Sequence, residues 1–421
     1  MNKPTRHKLA NNNSWLVLYA FVITVFFQIT AYKFIWGIEW VSRALNIVAI
    51  IIFSLYAIYT LSRFKFDNNV IKFYIFPGLM IYIGFFINIS IGSVLNINVI
   101  SQYGLLVPWA IYLAIPSLVN FGKLDVSSLW RYFHYFMLAT VSISIIEYYL
   151  LFSGLIVSRQ IFTSGGPFFA SYFSMLYAIE TGDLHYRLYA SFMEPGSLAM
   201  FLLPAMAYAF FFRKYFSLVI YAIAMYLSDS LGGFVGVAML IPLLIYFRYR
   251  EARVLAFVLT FLTLFFVINF FADNLFEQYE NKGNSKIDRE VSYLGLIENL
   301  PSLLLNYPFG LPLTESTNQA QENDAYHGGN FTPGNAFNLG GILSFLGYLA
   351  VLFVSLWYAI ATLFRKGLSL DEQAAVVSIL VLMPFIFQRT VVWDYSIFAL
   401  MFAPFVIGYL RRATKSGLHT L

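Results

Sequence analysis

Ionisable residues that border apolar segments are the first candidates for chemistry in this sequence. The stretch HYRLYASFMEPGSLAMFLLP, residues 185–204, places Arg187 and Glu194 just before a long apolar run. These two residues are seven positions apart, about two helical turns, so their side chains share a face if the helix begins early. A guanidinium beside a helix N-terminus makes an anion site suited to phosphate oxygens.

Two roles remain open for Glu194. Pro195 fits the first turn of a helix, where a missing N–H costs little. Glu194, directly before it, either complements the helix dipole as an N-terminal charge or accepts a proton in a reaction.

A second group of candidates follows later in the chain. Arg289 opens a stretch whose apolar residues are consistent with an amphipathic helix, namely Val291, Leu294, Leu296 and Leu300. Such a helix lies either on a membrane surface, with its arginine at the lipid headgroups, or against other helices of the protein. His327 precedes two glycines, and a loop histidine is either simply solvated or a general base.

Other ionisable groups provide weaker candidates. Glu147 lies inside an apolar run, where it is either functional or a hydrogen-bonding group between helices. Arg389 and Asp394 bracket a short turn and can form an ion pair with each other. Arg389 and Asn330 are additional site candidates. No metal-ligand spacing and no glycine-rich phosphate loop occurs, so we expect neither a metal nor a cofactor.

Composition identifies the class of protein that must position these residues. Hydrophobic residues make up 60% of the 421 residues, charged residues only 11%, and mean hydropathy is +0.71. These values predict a polytopic membrane protein. The chain has no cysteine, which excludes disulfides and thiolate chemistry. The net charge of +5 does not indicate nucleic acid, because the basic residues form short clusters beside apolar runs.

The sequence predicts an all-α fold with about twelve transmembrane helices in one domain, residues 1–421. The first run follows a basic segment and lacks a cleavage site, so we expect it to remain uncleaved. The predicted runs are 14–36, 44–62, 71–91, 103–120, 132–154, 195–212, 214–228, 231–248, 253–272, 336–364, 372–389 and 394–410.

The distribution of charge predicts the orientation. If both termini are cytoplasmic, the inner segments carry 18 of the 26 lysines and arginines, as the positive-inside rule requires. Two long segments, 155–194 and 273–335, then lie outside, which indicates that function faces outward.

Four stretches together resemble a known family. RLYASFMEPGSLAMF, SDSLGGFVG, the segment from Arg289 to NYPFG, and HGGNFTPGNAFNLGGILSFLGYL occur in the order of the blocks of the bacterial O-antigen polymerase (Wzy) and ligase (WaaL) superfamily. The resemblance covers residues 130–365. Three positions depart from the family pattern: Ala190 replaces a common glycine, Leu231 a common arginine, and Gly328 a polar residue after His327.

The resemblance implies a GT-C-like fold in a bacterial inner membrane and a metal-independent glycosyltransferase. Its substrate would be an oligosaccharide on undecaprenyl diphosphate, bound through the diphosphate by Arg187 and Arg289. His327, or Glu194, would take the proton of the acceptor hydroxyl. Membrane lipids, a chain-length regulator and a flippase are the implied partners, and nucleic acid is not.

Several functions remain open at this point. The Glu194-Pro195-Gly196 sequence resembles polymerases more than ligases, so we expect an O-antigen or surface polysaccharide polymerase, with the ligase as the alternative. A secondary transporter or lipid-linked glycan flippase would suit twelve spans, but such proteins commonly have similar halves, and these halves differ. A metal-dependent glycosyltransferase would need paired acidic residues in the first outer loop, where only Glu39 is present.

Overall fold

The computed structural model describes most of the chain as helices. It describes residues 14–63, 65–95, 103–120, 122, 124–163, 166–178, 186–249, 298–311, 332–387 and 396–415, together with residues 255, 258 and 262. The helices are α1 (Ser14–Ile23, continued by a π-helical turn Thr24–Ile29), α2 (Tyr32–Ile35), α3 (Glu39–Arg63), α4 (Asn68–Val70, continued by a π-helical turn Ile71–Ile75), α5 (Phe76–Leu95), α6 (Leu106–Asn120), α7 (Val126–Phe152), α8 (Pro195–Phe211), α9 (Tyr215–Ser228), α10 (Leu231–Arg248), α11 (298–306), α12 (Thr332–Leu363), α13 (Leu370–Leu382, followed by a 3-10 turn Met383–Phe387) and α14 (Ser396–Lys415).

The membrane class predicted from composition is confirmed by these helices. Seven of the described helical segments are long and apolar enough to cross a membrane, and three further apolar helices are shorter. Helices overlap eleven of the twelve predicted runs, while run 253–272 falls almost entirely outside the described residues. The total of twelve spans and the GT-C-like arrangement stay predictions.

Polar residues set the helix ends where apolar runs would otherwise continue. Asp125 caps α7 by accepting a hydrogen bond from the Ser128 N–H at 3.3 Å. Ser230 caps α10 in the same way, because its hydroxyl accepts from Gly233 N–H at 3.3 Å. Asp229, directly before it, has the left-handed conformation (φ 45°) that ends α9. Asp229 and Ser230 therefore separate α9 from α10, at the boundary between the predicted runs 214–228 and 231–248.

Close helix contacts in the core depend on small residues. Helices α5 and α12 pack along each other, and a Cβ on Gly347 would lie 2.6 Å from the Pro77 carbonyl oxygen. Backbones this close are typical of membrane helix pairs, in which small residues allow dense packing. Elsewhere in the core, aromatic side chains pack between the helices. The rings of Tyr74, just before α5, and Tyr112, on α6, stack with centroids 4.2 Å apart.

Contacts between segment ends define two ends of the bundle. We call the first one the charged end. Helices α6 and α14 terminate there, and helices α7 and α13 begin there. Arg411 lies 3.7 Å from Asp67 there and also donates to Asn120. Arg412 lies 3.6 Å from Glu372. All of these residues belong to segments that the charge distribution assigns to one side of the membrane.

The opposite end, which we call the sheet end, contains a four-stranded antiparallel sheet. Its strands are β1 (Arg159–Thr163), β2 (Gly166–Ala170), β3 (Met175–Ala178) and β4 (Tyr186–Leu188), paired in that order. They occupy the first long segment, 155–194. The predicted all-α class is therefore incomplete. Apolar runs indicate membrane helices, whereas this segment forms a sheet.

Helix α12 is broken within its first third. Gly340 and Gly341 have non-helical conformations, and Gly341 (φ 63°, ψ −157°) occupies a region open almost only to glycine. The residues after α11 fill the break, since Ile342 N–H donates to the Pro308 carbonyl at 3.1 Å. The described parts of the second long segment are thereby packed into the bundle.

Candidate functional site

Arg187 lies at the sheet end, where strand β4 meets the turn between α9 and α10. Its Nε donates to the Ser228 carbonyl at 3.2 Å, and its Nη2 donates to the Asp229 carbonyl. The Asp229 carboxylate lies 3.8 Å from Nε. Only 16% of the Arg187 side chain is exposed, so this cation is mostly withdrawn from solvent.

The position of Arg187 differs from the one expected from spacing. The residue belongs to β4, paired opposite Tyr177, and helix α8 begins only at Pro195. The helix does not begin early, and Arg187 and Glu194 therefore do not share a helical face. The carbonyls that Arg187 binds are at the C-terminus of α9, where the helix dipole favours a cation.

A helix N-terminus nevertheless lies next to this arginine. Asp229, which accepts a hydrogen bond from Arg187, is followed by Ser230, the N-cap of α10. The start of α10 packs against α8, since a Cβ on Gly233 would lie 2.8 Å from the Ala199 Cβ. A guanidinium and the beginning of α10 therefore lie in one small region, a combination that favours anions.

Glu194 is the N-cap residue of α8. Its carbonyl accepts hydrogen bonds from Ser197 N–H and Leu198 N–H, both at 3.1 Å. Its side chain is exposed and makes no capping hydrogen bond. Pro195 occupies the first helical position, as predicted. The carboxylate is therefore accessible at the sheet end, and its predicted proton-acceptor role stays a prediction.

Ala190, three residues after Arg187, has an unusual backbone conformation. Its φ of 48° lies in the left-handed region, which glycine adopts far more easily than alanine. The residue is fully buried, and its carbonyl accepts from Met175 N–H at 2.6 Å. This chain thus has alanine at a position whose geometry favours glycine.

Glu147 is a structural anchor for the first long segment. The carboxylate is buried and accepts from the Ser171 hydroxyl at 2.5 Å and from Phe173 N–H at 3.1 and 3.2 Å. The Ser174 hydroxyl is 2.8 Å from that of Ser144, one turn earlier on α7. The partners of Glu147 are in the turn between β2 and β3, and not in another helix as one interpretation of the sequence required.

Asn88 on α5 fastens the second long segment. Its Nδ2 donates to the carbonyl oxygens of Leu311, Asn338 and Leu339 at 3.0 to 3.2 Å. Leu311 belongs to the second long segment, whereas Asn338 and Leu339 lie in α12 just after it, so Asn88 holds the two next to each other. The predicted residues Arg289, His327 and Asn330 lie outside the described residues, as does Arg389.

The described residues contain no group of three or more histidine, aspartate or glutamate side chains arranged as metal ligands. The polar groups that converge at the sheet end are instead Arg187, the Ser228–Ser230 turn and the exposed Glu194 at the start of α8.

Sequence reasoning missed two contributors to this region. It did not assign Asn88 any role, although an asparagine in the middle of an apolar run is a recognised signal of a buried hydrogen-bonding site. It also left Asp229 between the predicted runs 214–228 and 231–248 and gave it no part in the site. Comparison with known proteins adds no further assignment: no protein-family model, curated protein or solved structure matches this chain.

Proposed function

We propose that this protein is a metal-independent glycosyltransferase that polymerises a surface polysaccharide such as O-antigen. It would transfer a glycan from undecaprenyl diphosphate onto another lipid-linked repeat unit at the outer face of a bacterial inner membrane. The observation that carries this proposal is Arg187, a largely buried guanidinium held by the α9–α10 turn at the sheet end.

Arg187 retains donors for an anionic ligand. A guanidinium has five N–H groups, and the hydrogen bonds to Ser228 and Asp229 use Nε and Nη2. Its Nη1 has no hydrogen bond to the described residues. The carbonyls hold the cation in place before any ligand binds, so a diphosphate would meet a preorganised charge.

The resemblance to Wzy and WaaL gains support from Ala190. The family commonly has glycine at this position, and the left-handed φ of 48° is the geometry for which glycine is the usual residue. The match of a family glycine to a left-handed position favours the alignment that starts at Arg187.

The reaction that we propose needs no nucleophile from the protein. The acceptor hydroxyl oxygen attacks the anomeric carbon of the donor, and the bond from that carbon to the diphosphate oxygen breaks. The leaving diphosphate keeps the electron pair, and Arg187 with Arg289 would stabilise its charge. His327 or Glu194 would accept the proton of the attacking hydroxyl.

The orientation rests on the positive-inside rule. Basic residues such as Arg365, Arg411 and Arg412 belong to segments near the charged end, which would face the cytoplasm with both termini. The sheet end and the substrate would then lie on the outer side. A transporter is less favoured, because its main candidate, Glu147, is hydrogen-bonded to the β2–β3 turn.

Deletion of the gene, followed by complementation and gel analysis of glycans, tests the proposal. Single-repeat products after deletion would indicate a polymerase, whereas lipid-linked polymer without its acceptor would indicate a ligase. Arg187→Ala and Arg187→Lys should both abolish long chains, since a lysine lacks the planar fork. Arg43→Ala is the matched control, because Arg43 is a 59% exposed arginine on the same predicted side. Long chains from Arg187→Ala at normal protein level would refute the proposal.

A further inference from the structure

A groove of about 430 Å³ opens between α1 and α7 near the charged end. The α1 wall is apolar and consists of Trp15, Leu18 and Phe21, whereas the α7 wall includes Asp125, Ser128 and Tyr132. The volume lies within the range of ligand sites in proteins. The groove is remote from Arg187, which lies at the opposite end of the bundle.

The α7 wall of this groove changes from polar to apolar along the helix. Asp125, Ser128 and Tyr132 are spaced by three and four residues, so they lie on one face. Asp125 caps the helix at the charged end, and Tyr132 lies almost two turns farther in, where its ring contacts Phe21 edge to face at 6.2 Å. The groove therefore combines a polar mouth with an apolar interior, as an amphipathic ligand requires.

The mouth carries both signs of charge. Asp125 accepts two hydrogen bonds from Ser128, from the N–H at 3.3 Å and from the hydroxyl at 2.6 Å, which fix its carboxylate. Arg131 donates to the same hydroxyl at 3.3 Å, and its guanidinium lies 5.8 Å from the centre of the Tyr132 ring. A carboxylate and a guanidinium are thus joined through one serine at the edge of an apolar groove.

We propose that this groove binds one phospholipid with a zwitterionic ammonium headgroup, such as phosphatidylethanolamine. The headgroup ammonium pairs with Asp125, the phosphate pairs with Arg131, and an acyl chain lies against Leu18, Phe21 and Tyr132. An anionic phospholipid without an ammonium group matches only Arg131 and meets an unfavourable carboxylate at Asp125.

The chain's own N-terminal segment fits this groove less well. Residues 1–13 read MNKPTRHKLANNN, and this segment has three basic residues but only a few apolar ones. Its charge complements Asp125, whereas its composition does not supply the long apolar surface that Trp15, Leu18 and Phe21 would cover. A phospholipid supplies both the cation and the apolar chain.

The test measures lipid retained by the purified full-length protein. The protein is reconstituted with equal amounts of phosphatidylethanolamine and phosphatidylglycerol and extracted in mild detergent. Native mass spectrometry then measures the mass of the protein with its bound lipid. We expect one preferentially retained phosphatidylethanolamine. Asp125→Asn should reduce that preference by about two- to fivefold, the range of exposed ion pairs. Asparagine caps helices as well as aspartate does, so the fold should be preserved.

A second pair of variants separates the groove from general lipid contact. Leu18→Trp fills the groove and should reduce retention of both lipids, whereas Leu55→Trp adds the same bulk to a 61% exposed residue on α3 and should not. Equal retention of both lipids by the unmodified protein, or equal effects of the two tryptophans, would overturn the proposal. Increased lipid retention after removal of residues 2–13 would identify the N-terminal segment as the occupant and would also overturn it.

Discussion

The Nε of Arg187 donates a hydrogen bond to the Ser228 carbonyl at 3.2 Å, which joins strand β4 to the last turn of α9. The same guanidinium also binds Asp229, where α9 gives way to α10. The residue proposed to bind diphosphate is therefore also a structural connection between the first long segment and the helix bundle. Its two roles must be separated by experiment.

The two kinds of contact around Arg187 should differ in energy. Arg187→Ala leaves two carbonyl oxygens without their charged donor and should cost about 2 kcal/mol. Asp229→Asn removes the charge of a partly exposed ion pair at 3.8 Å and should cost less than Arg187→Ala, about 1 kcal/mol. Asparagine also tolerates the left-handed conformation of this position. Thermal unfolding of the purified variants measures both, and equal destabilisation would contradict this ranking.

Removal of the Glu147 side chain should destabilise the packing of the first long segment on α7. Glu147→Ala leaves Phe173 N–H without its acceptor and leaves the Ser171 hydroxyl with only the Ser174 carbonyl, 3.3 Å away. This should cost about 2 kcal/mol and loosen the β2–β3 turn. Glu147→Gln keeps an acceptor oxygen and should have a smaller effect. Limited proteolysis within residues 155–194 reports the loosening.

Glu39→Ala provides the matched control for this experiment. Glu39 is 43% exposed and pairs with Arg43 at 3.8 Å on the same helix, so its loss should cost less than about 0.5 kcal/mol. Unchanged proteolysis in Glu147→Ala, or faster proteolysis in both variants, would show that Glu147 does not anchor the sheet.

Helices were predictable from this sequence because their signals are local. An apolar run needs only its own residues to predict a span, and capping residues such as Ser230 and Pro195 stand directly at the boundaries. The separation of α9 from α10 at Asp229 was found for the same reason. The position of Arg187 was not, because it depends on the pairing of β4 with β3 and not on residues near it in the chain.

The sheet and the break in α12 required information that apolar runs do not contain. Strands β1 and β2 are stretches rich in aromatic and β-branched residues on either side of a Ser-Gly pair in the sequence. The pattern RQIFTSGGPFFA is typical of a hairpin. Gly340 and Gly341 likewise stand as a pair within a long run, which is a signal for a break. Hydropathy alone averages over both features.

Gly341 should be sensitive to the smallest substitution. A Cβ there would overlap the Pro308 carbonyl oxygen, and the φ of 63° with ψ −157° is unfavourable for alanine. Gly341→Ala should destabilise the protein by at least about 2 kcal/mol and displace the residues after α11. Gly310, which also has a positive φ, lies in the segment that would move.

Gly408→Ala is the corresponding control within a helix of the same bundle. A Cβ on Gly408 meets no atom within 4 Å, so the variant should be neutral or gain up to about 1 kcal/mol from helix propensity. Thermal unfolding of both variants compares them directly. Equal stability of Gly341→Ala and Gly408→Ala would exclude a constrained break in α12.

Asp371 should make stability depend on pH. Burial raises the pKa of its carboxyl, as does the charge of nearby Asp125, while the hydrogen bond from Ser127 lowers it. The folded protein then binds this proton more tightly than the unfolded chain does. Stability from this group is therefore fully present below the unfolded pKa and is lost as the pH rises through the folded pKa.

Two variants test this dependence at the charged end. Asp371→Asn removes the carboxylate and keeps an acceptor for Ser127, so it should unfold at a higher temperature than the unmodified protein at pH 8. The two melting temperatures should converge as the pH falls below the pKa of aspartate in the unfolded chain, because the Asp371 carboxyl is then protonated in both states. Ser127→Ala should have the opposite effect, because the Asp371 carboxylate loses its donor and is destabilised most at high pH. A melting-temperature difference for Asp371→Asn that stays the same at every pH would contradict this prediction. A purely structural effect of the amide does not follow the titration of Asp371, whereas the cost of burying its carboxylate does.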